Sequence, residues 1–389
     1  MECRIKVFLV AGEPSGDALA ARLMASLQRI TGNGVDFSGV GGPLMEDQGL
    51  TSLFPMEELT IMGVAEVVPK IPALLKRIKE TAQAAIDQKP DLFITVDAPD
   101  FSFRVAKRIK SVSFPKVHYV APSVWAWRPG RAKKIATLYD HLLTILPFEP
   151  PYFEKEGLAS TFVGHSVVES GASDGNGVVF RKHHKIASER PILMMLPGSR
   201  RSEVNRHLPL FRSAIDIVHK FFPDLLLVVP VIGKSAFTVE QALSQWPVES
   251  ITIDGLDKYD AMAAADVALA ASGTVGLELA LAELPAVIAY KMHPVTGWLA
   301  RKLVKLDYVN LVNILEDQEV VPEHLLEECI PARLAGSVID LFESNPVRLK
   351  QIEGYKSAVS KLVVGEKAPG ERAAEVVLSL VSPSGEVPE

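Results

Sequence analysis

Short apolar runs alternate with stretches of helical spacing along almost the whole chain. Ile5–Ala11 is such a run; it ends in Gly12-Glu13-Pro14-Ser15-Gly16-Asp17, and Ala18–Ile30 then takes up helical spacing. A parallel strand covered on both faces reads as an unbroken apolar run, so this is a strand, a tight loop and a helix. The unit recurs at Val35–Val40 before Gly41-Gly42-Pro43, at Asp91–Val96 before Asp97-Ala98-Pro99-Asp100-Phe101, and at Lys116–Val120 and His141–Ile145. After the small polar stretch Ser170–Gly177 it restarts at Pro191–Leu196, Leu225–Val231, Ser250–Ile253, Val267–Ala271 and Ala286–Tyr290. Helical spacing alone remains in Arg333–Phe342, Leu349–Leu362 and Ala373–Val381, broken at Pro346 and Pro369-Gly370. The alternation predicts an α/β fold of two Rossmann-like, doubly wound parallel sheets, with function in the loops at the strand C-termini. The polar stretch reads as the linker, which gives domains of residues 1–170 and 171–345 and a C-terminal helical segment of residues 346–389.

Composition narrows the classes. The chain has 389 residues, 48% of them hydrophobic and 23% charged, which suits a globular protein with more than one core. A net charge of -6 argues against general nucleic-acid binding, which needs a basic face. Cys3 and Cys329 cannot build a disulfide framework or a zinc site by themselves, as expected in a reducing cytosol. The N-terminal apolar run is too short for a signal-peptide core, and no window approaches the ~20 apolar residues of a membrane span. The expectation is a soluble protein, or one resting on a membrane surface.

Two strand-to-helix turns carry the candidate chemistry. Ala271-Ser272-Gly273-Thr274 leads into a helix containing Glu278, and Leu196-Pro197-Gly198-Ser199-Arg200-Arg201 into another. Free amides at a helix start attract an anion, Arg is suited to phosphate, and a carboxylate such as Glu278 accepts two hydroxyl protons, as from a ribose. Phosphate plus diol points to a nucleotide, with a plain capped turn as the alternative. The Walker ending is missing, Gly39-Val40-Gly41-Gly42 lacks the full dinucleotide fingerprint, and no Asp-x-Asp pair is present to anchor a metal-bound diphosphate. No metal and no cofactor are therefore expected, and the adjacent His183 and His184 read as a solvated basic turn. Asp97, at a strand end, is placed to act as general base; Glu13 is a second candidate, and Asp100 reads as a helix cap.

Met62–Lys79 combines apolar spacing with a basic end, and Pro69 and Pro72 predict an interrupted helix. Val64, Val67, Val68, Ile71, Leu74 and Leu75 can enter a lipid interface while Lys76 and Arg77 meet anionic headgroups. Trp298, Arg301 and Lys302 form a second cluster of the same character. Packing of each stretch on its own core is the alternative.

Taken together the segments resemble the lipid-A-disaccharide synthases, inverting glycosyltransferases of the two-Rossmann-domain (GT-B) type. The resemblance runs through Ala11–Asp17, Gly39–Pro43, Met62–Val67, Asp97–Phe101, Tyr119–Trp127, Leu146–Glu149, Val163–His165, Leu196–Arg200, Ala271–Glu278 and Asp307–Asn313. It implies transfer of 2,3-diacylglucosamine from UDP to the 6-hydroxyl of 2,3-diacylglucosamine 1-phosphate, by a cytoplasmic enzyme peripheral on the inner membrane of a Gram-negative bacterium. It assigns catalysis to Asp97, Glu13, Arg200 and Asn313 and the UDP seat to Ser199, Arg200, Ser272, Gly273, Thr274 and Glu278. The C-terminal helices are expected to cross back to the first domain, within the chain or in a swapped homodimer. Pro14 stands where Ala is frequent in this family, and Val312 precedes Asn313 where Pro is usual. A UDP-sugar epimerase, another GT-B transferase, or a non-catalytic nucleotide-sugar or lipid-binding protein are the rival readings.

Overall fold

A computed structural model of the chain describes residues 4–59, 64–231, 236–291 and 306–381, with residues 64–70 described in backbone only. The chain divides into two compact units, residues 1–166 with 362–389, and residues 167–361.

The first unit threads β1 (Ile5–Ala11), α1 (Pro14–Ile30), β2 (Val35–Val40), α2 (Pro43–Asp47), β3 (Thr51–Ser52), α3 (Val64–Gln88), β4 (Leu92–Val96), α4 (Pro99–Arg108), β5 (Lys116–Tyr119), α5 (Arg131–Ala136), β6 (His141–Thr144), α6 (Pro150–Glu154) and β7 (Ala159–Phe162). The strands form one seven-stranded sheet in the order β3-β2-β1-β4-β5-β6-β7, parallel throughout. Order reverses between β1 and β4, whose C-terminal residues Ala11 and Val96 are paired, so the loops carrying Glu13 and Asp97 leave the sheet side by side. Beneath that edge Thr95, His118 and Tyr139 form a buried polar clasp: Thr95 Oγ1 lies 2.7 Å from His118 Nδ1 and 2.9 Å from the Tyr139 hydroxyl. Burial pushes the His118 imidazole down to about 3, so it is neutral and structural at physiological pH.

The second unit contains α7 (Gly177–His183), β8 (Ile192–Leu196), α8 (Arg201–Phe221), β9 (Leu226–Pro230), α9 (Ala236–Leu243), β10 (Ser250–Ile253), α10 (Lys258–Ala264), β11 (Val267–Ala271), α11 (Val275–Leu281), β12 (Ala286–Tyr290), α12 (Leu311–Glu316), β13 (Glu323–Leu325), α13 (Pro331–Glu343) and α14 (Asn345–Ser360). Its six strands run β10-β9-β8-β11-β12-β13, again all parallel. The switch point falls between β8 and β11, below the two turns singled out from the sequence.

Three expectations change. The polar stretch Ser170–Gly177 is not a free linker but is docked on α10: a Cβ on Gly175 would lie 2.1 Å from Tyr259 O, one on Gly177 2.4 Å from Ala263 O, and Asn176 N donates to Asp260 Oδ1. Glycine is there because two backbones touch. Residues 346–361 belong to the second unit, with Gln351 bonding both backbone groups of Ala286; only the last helix, α15 (Pro369–Val381), returns to the first. Its Ala373, Ala374 and Val377 join Leu19, Leu23 and Leu27 in the first unit's core. Finally, α3 is one continuous helix through Pro69 and Pro72. Proline already holds a helical φ, so each costs one rung of the ladder, while Ile78, Ala82 and Ala85 anchor the rest of the helix in a core cluster with Phe8, Phe93 and Phe101.

Candidate active site

In the second unit, the β8–α8 and β11–α11 turns wall a cavity of about 460 Å³, within the range of small-molecule sites. Ser199, Arg200, Ser272, Gly273, Thr274 and Glu278 all line it. Gly198 makes the first turn with φ 111°, and a Cβ there would press on the Glu203 Cβ at 2.9 Å. Arg200 is the N-cap of the long α8, and its Nη1 lies 3.0 Å from Glu203 Oε1. Thr274 occupies the N-cap of α11 without a side-chain capping bond, so the turn is not closed by its hydroxyl in the way the plain structural reading required.

Glu278 is held by two neighbours that the sequence reading missed. Lys258 Nζ lies 2.5 Å from Oε2, and the Tyr259 hydroxyl donates to Oε1 at 3.1 Å. Each carboxylate oxygen keeps a further lone pair for a ligand hydroxyl. Pro230, Val231 and Val239 supply an apolar wall. Under the first turn, His207 lies with Nδ1 3.1 Å from Pro197 O, stacked on Phe211, and burial lowers its pKa despite that carbonyl. No pattern in the sequence marked Lys258 or Tyr259, because their partner Glu278 lies on another helix.

In the first unit, Asp97 closes β4 in the left-handed region, φ 52°, followed by Ala98 at 44°. Two successive non-glycine residues there store strain, which collects at functional edges. Burial raises the Asp97 pKa, partly opposed by the Ala98 amide and the Ser15 hydroxyl, whose Oγ is 3.5 Å from Oδ2. A carboxylate so shifted is a stronger base than an exposed one. Gly12 and Gly16 let the neighbouring loop approach: a Cβ on Gly12 would stand 2.9 Å from the Ala98 Cβ. Glu13 is the exposed N-cap of α1. Asp17, in the same motif, is buried and accepts from the amides of Gly42, Leu44 and Met45, fastening the β2–α2 loop to α1. Asp100 is no cap: Ala98 is the N-cap of α4, and Asp100 lies in the first turn, 3.5 Å from Arg131.

Asn313 does not line the cavity. It is fully buried, its Nδ2 donating to Val321 O and Glu323 Oε1 and its Oδ1 accepting from the amides of Val320 and Val321. All four hydrogen-bonding positions are used, so the residue pins the loop before β13 and leaves no donor for a substrate. In the segment expected to meet lipid, Ile71 and Leu75 are 42% and 41% exposed, Lys76 is exposed, and Leu74 is half-buried against the core. Arg77 is already engaged: it bonds Glu58 and Glu80 and lies over the Phe54 ring. The side chains of Val64, Val67 and Val68, and all of Trp298, Arg301 and Lys302, lie outside the described residues. Among the described residues no cluster of His, Cys, Asp and Glu could hold a metal ion, and no helix is long and apolar enough to cross a membrane.

Two doubly wound parallel domains, one with a cavity at its switch point, are the fold of the GT-B class, which holds glycosyltransferases and UDP-sugar epimerases. The solved structures agree on the fold: a Neisseria meningitidis UDP-GlcNAc 2-epimerase bound to UDP-GlcNAc is similar over 96% of this chain and 98% of its own, with TM-score 0.61 and 12% identity. The calicheamicin glycosyltransferase CalG4 is similar over 98% and 99%, with TM-score 0.58 and 14% identity. The chain belongs to the lipid-A-disaccharide synthetase family, whose model matches residues 7–372. The lipid-A-disaccharide synthase of Rhodospirillum centenum is 52% identical over 97% of this chain and 94% of its own length.

Proposed function

We propose that the chain transfers 2,3-diacylglucosamine from UDP to the 6-hydroxyl of 2,3-diacylglucosamine 1-phosphate, forming a β-1,6-linked disaccharide 1-phosphate and releasing UDP. The observation that carries this is the conjunction of family membership with the cavity lined by Ser199, Arg200, Ser272–Thr274 and Glu278. In this reading the diphosphate lies on the two turns with Arg200, the ribose hydroxyls on Glu278 as held by Lys258 and Tyr259, and the base against Pro230, Val231 and Val239. Asp97 takes the proton of the acceptor 6-hydroxyl, the oxygen bonds to the anomeric carbon with inversion, and the bond to the diphosphate breaks with charge stabilised by Arg200 and the turn amides. Glu13 borders the base. Asn313 acts through the loop it pins.

The same reading makes the protein peripheral on an anionic membrane surface, met by the exposed Ile71 and Leu75 beside Lys76. Arg77 is left out of that role because its charge is matched by Glu58 and Glu80. The test is UDP release from UDP-diacylglucosamine and the monosaccharide phosphate. Wild type should turn over, whereas Asp97→Asn should keep its UDP affinity and lose roughly 10²- to 10⁴-fold in turnover. An unchanged rate in the variant would remove Asp97 as base, and no UDP release by wild type would leave a binding protein.

A further inference from the structure

The loop between β5 and α5 shares the sheet edge that carries Asp97 and has no part in the mechanism above. Val96 pairs with Tyr119, and Asp97 N donates to Tyr119 O at 2.9 Å, so the two loops start as neighbours. The β5–α5 loop opens on Val120 at φ 82° and ends near Arg128 at 54°. A β-branched residue at positive φ is a strong outlier, and here the strain is locked in from below. Trp125 Nε1 donates to the buried Glu149 at 3.2 Å, the other Glu149 oxygen accepts from the Ile145 and Leu146 amides, and the Trp125 ring meets Phe148 edge-on at 5.1 Å. The far half of the loop is left outward, with Trp127 40% exposed.

Two guanidinium groups flank that indole. Arg128 Cζ lies 4.4 Å from the Trp127 ring centroid and Arg131 Cζ 5.9 Å. Arg131 has a loose partner in the exposed Asp100 at 3.5 Å; Arg128 has no carboxylate partner among the described residues. Lys133 and Lys134 follow, so Arg128–Lys134 carries cations only, within a chain of net charge -6. Two like charges beside one ring are offset among the described residues only by the exposed Asp100, and guanidinium forks fit phosphate oxygens. We propose that Arg128 and Arg131, aligned by Trp127, bind the phosphate monoester of the acceptor sugar. This deepens the reading above and rests on its acceptor being a sugar 1-phosphate. In a hexopyranose, C1 and C5 flank the ring oxygen, so the anomeric phosphate and O6 share one edge of the sugar. An acceptor with its phosphate near Arg131, which reaches the first turn of α4, therefore brings O6 toward Asp97 three residues before Asp100.

The experiment compares wild type, Arg128→Ala, Arg131→Ala and the double variant in their use of diacylglucosamine 1-phosphate and of dephosphorylated diacylglucosamine, with the denaturant-unfolding midpoint as the check on folding of the first unit, where both arginines lie. Each single variant should raise the KM for the phosphorylated acceptor roughly 10- to 100-fold with donor KM unchanged. The double variant should lose the wild-type preference for the phosphorylated acceptor. A preference retained in the double variant overturns the proposal, and so does a retained preference combined with weaker binding to phosphatidylglycerol vesicles, which would place the headgroup there instead. Wild type that uses neither acceptor would overturn the reading of the reaction itself.

Discussion

Glu149 is a carboxyl only 2% exposed whose pKa burial pushes up to about 7, against the bonds from Trp125 and the Leu146 and Ile145 amides that favour the charged form. The folded state thus holds this proton more tightly than the unfolded chain, so its contribution to stability is present below the ordinary value of 4.5 and is lost as pH rises toward 7. Glu149→Gln removes that dependence. The variant's stability relative to wild type should improve by on the order of 2–3 kcal/mol between pH 4.5 and pH 8, measured by denaturant unfolding with tryptophan emission as readout. A difference that stays flat with pH would show that the carboxyl titrates normally. Gly273 gives a complementary case. A Cβ there would meet nothing within 4 Å, and its φ is not positive, so the protein does not itself need glycine at this position. Gly273→Ala should leave stability unchanged or raise it slightly, yet weaken UDP binding about 10-fold if phosphate approaches the backbone, as titration calorimetry would show.

Among the elements, legibility in the sequence followed burial. Central strands such as Val267–Ala271 and Ala286–Tyr290 match the structure residue for residue, because both faces are covered and the apolar run is unbroken. Among the edge strands, β3, β7 and β13 are short, half-exposed and carry no run of their own, whereas β10, equally short and half-exposed, is legible at Ser250–Ile253 from its β-branched Ile-Thr-Ile run. The cavity-lining turns were legible from their strand–Gly/Ser–helix order, whereas Lys258 and Tyr259 reach Glu278 from another helix that spacing cannot reveal. Asp-to-loop ties were hidden for the same reason. Glu149 left a fainter signal, a lone acid in Leu146-Pro147-Phe148-Glu149-Pro150-Pro151. The motif around Asn313 gives its identity without its direction, and the structure shows its amide pinning the loop before β13. With Asn310, Asn313 builds the α12 start, where Glu323 Oε2 accepts from the Val309 and Asn310 amides, and Asn310 packs against Gly276 of α11. Removing the Asn313 amide leaves several buried groups unpaired, so Asn313→Ala should cost roughly 3–5 kcal/mol and open residues 317–323 to protease, and an uncleaved, equally stable variant would return Asn313 to the substrate side.

At the scale of the molecule, the chain leaves the first unit, builds the second, and comes back to finish the first. Leu362 O accepts from His165 N, Arg372 donates to Phe162 O, Arg22 donates to Ser166 O, and a Cβ on Gly370 would stand 3.2 Å from Arg22 O. The returning α15 is thus fastened both to α1 and to the segment by which the chain departs. The first unit's core is incomplete without Ala373, Ala374 and Val377, each fully buried. An unpaired carboxylate there has no hydrogen-bonding partner to offset its desolvation, so Ala374→Asp should destabilise the first unit by at least about 4 kcal/mol. The cavity proposed for UDP is lined by residues of the second unit, and UDP affinity should survive the substitution. Loss of both together would mean that the units do not fold independently. The same measurement separates a helix returning within its own chain from one exchanged between two copies. Stability that is independent of protein concentration fits return within the chain, and a midpoint that rises with concentration means that a second copy supplies the helix.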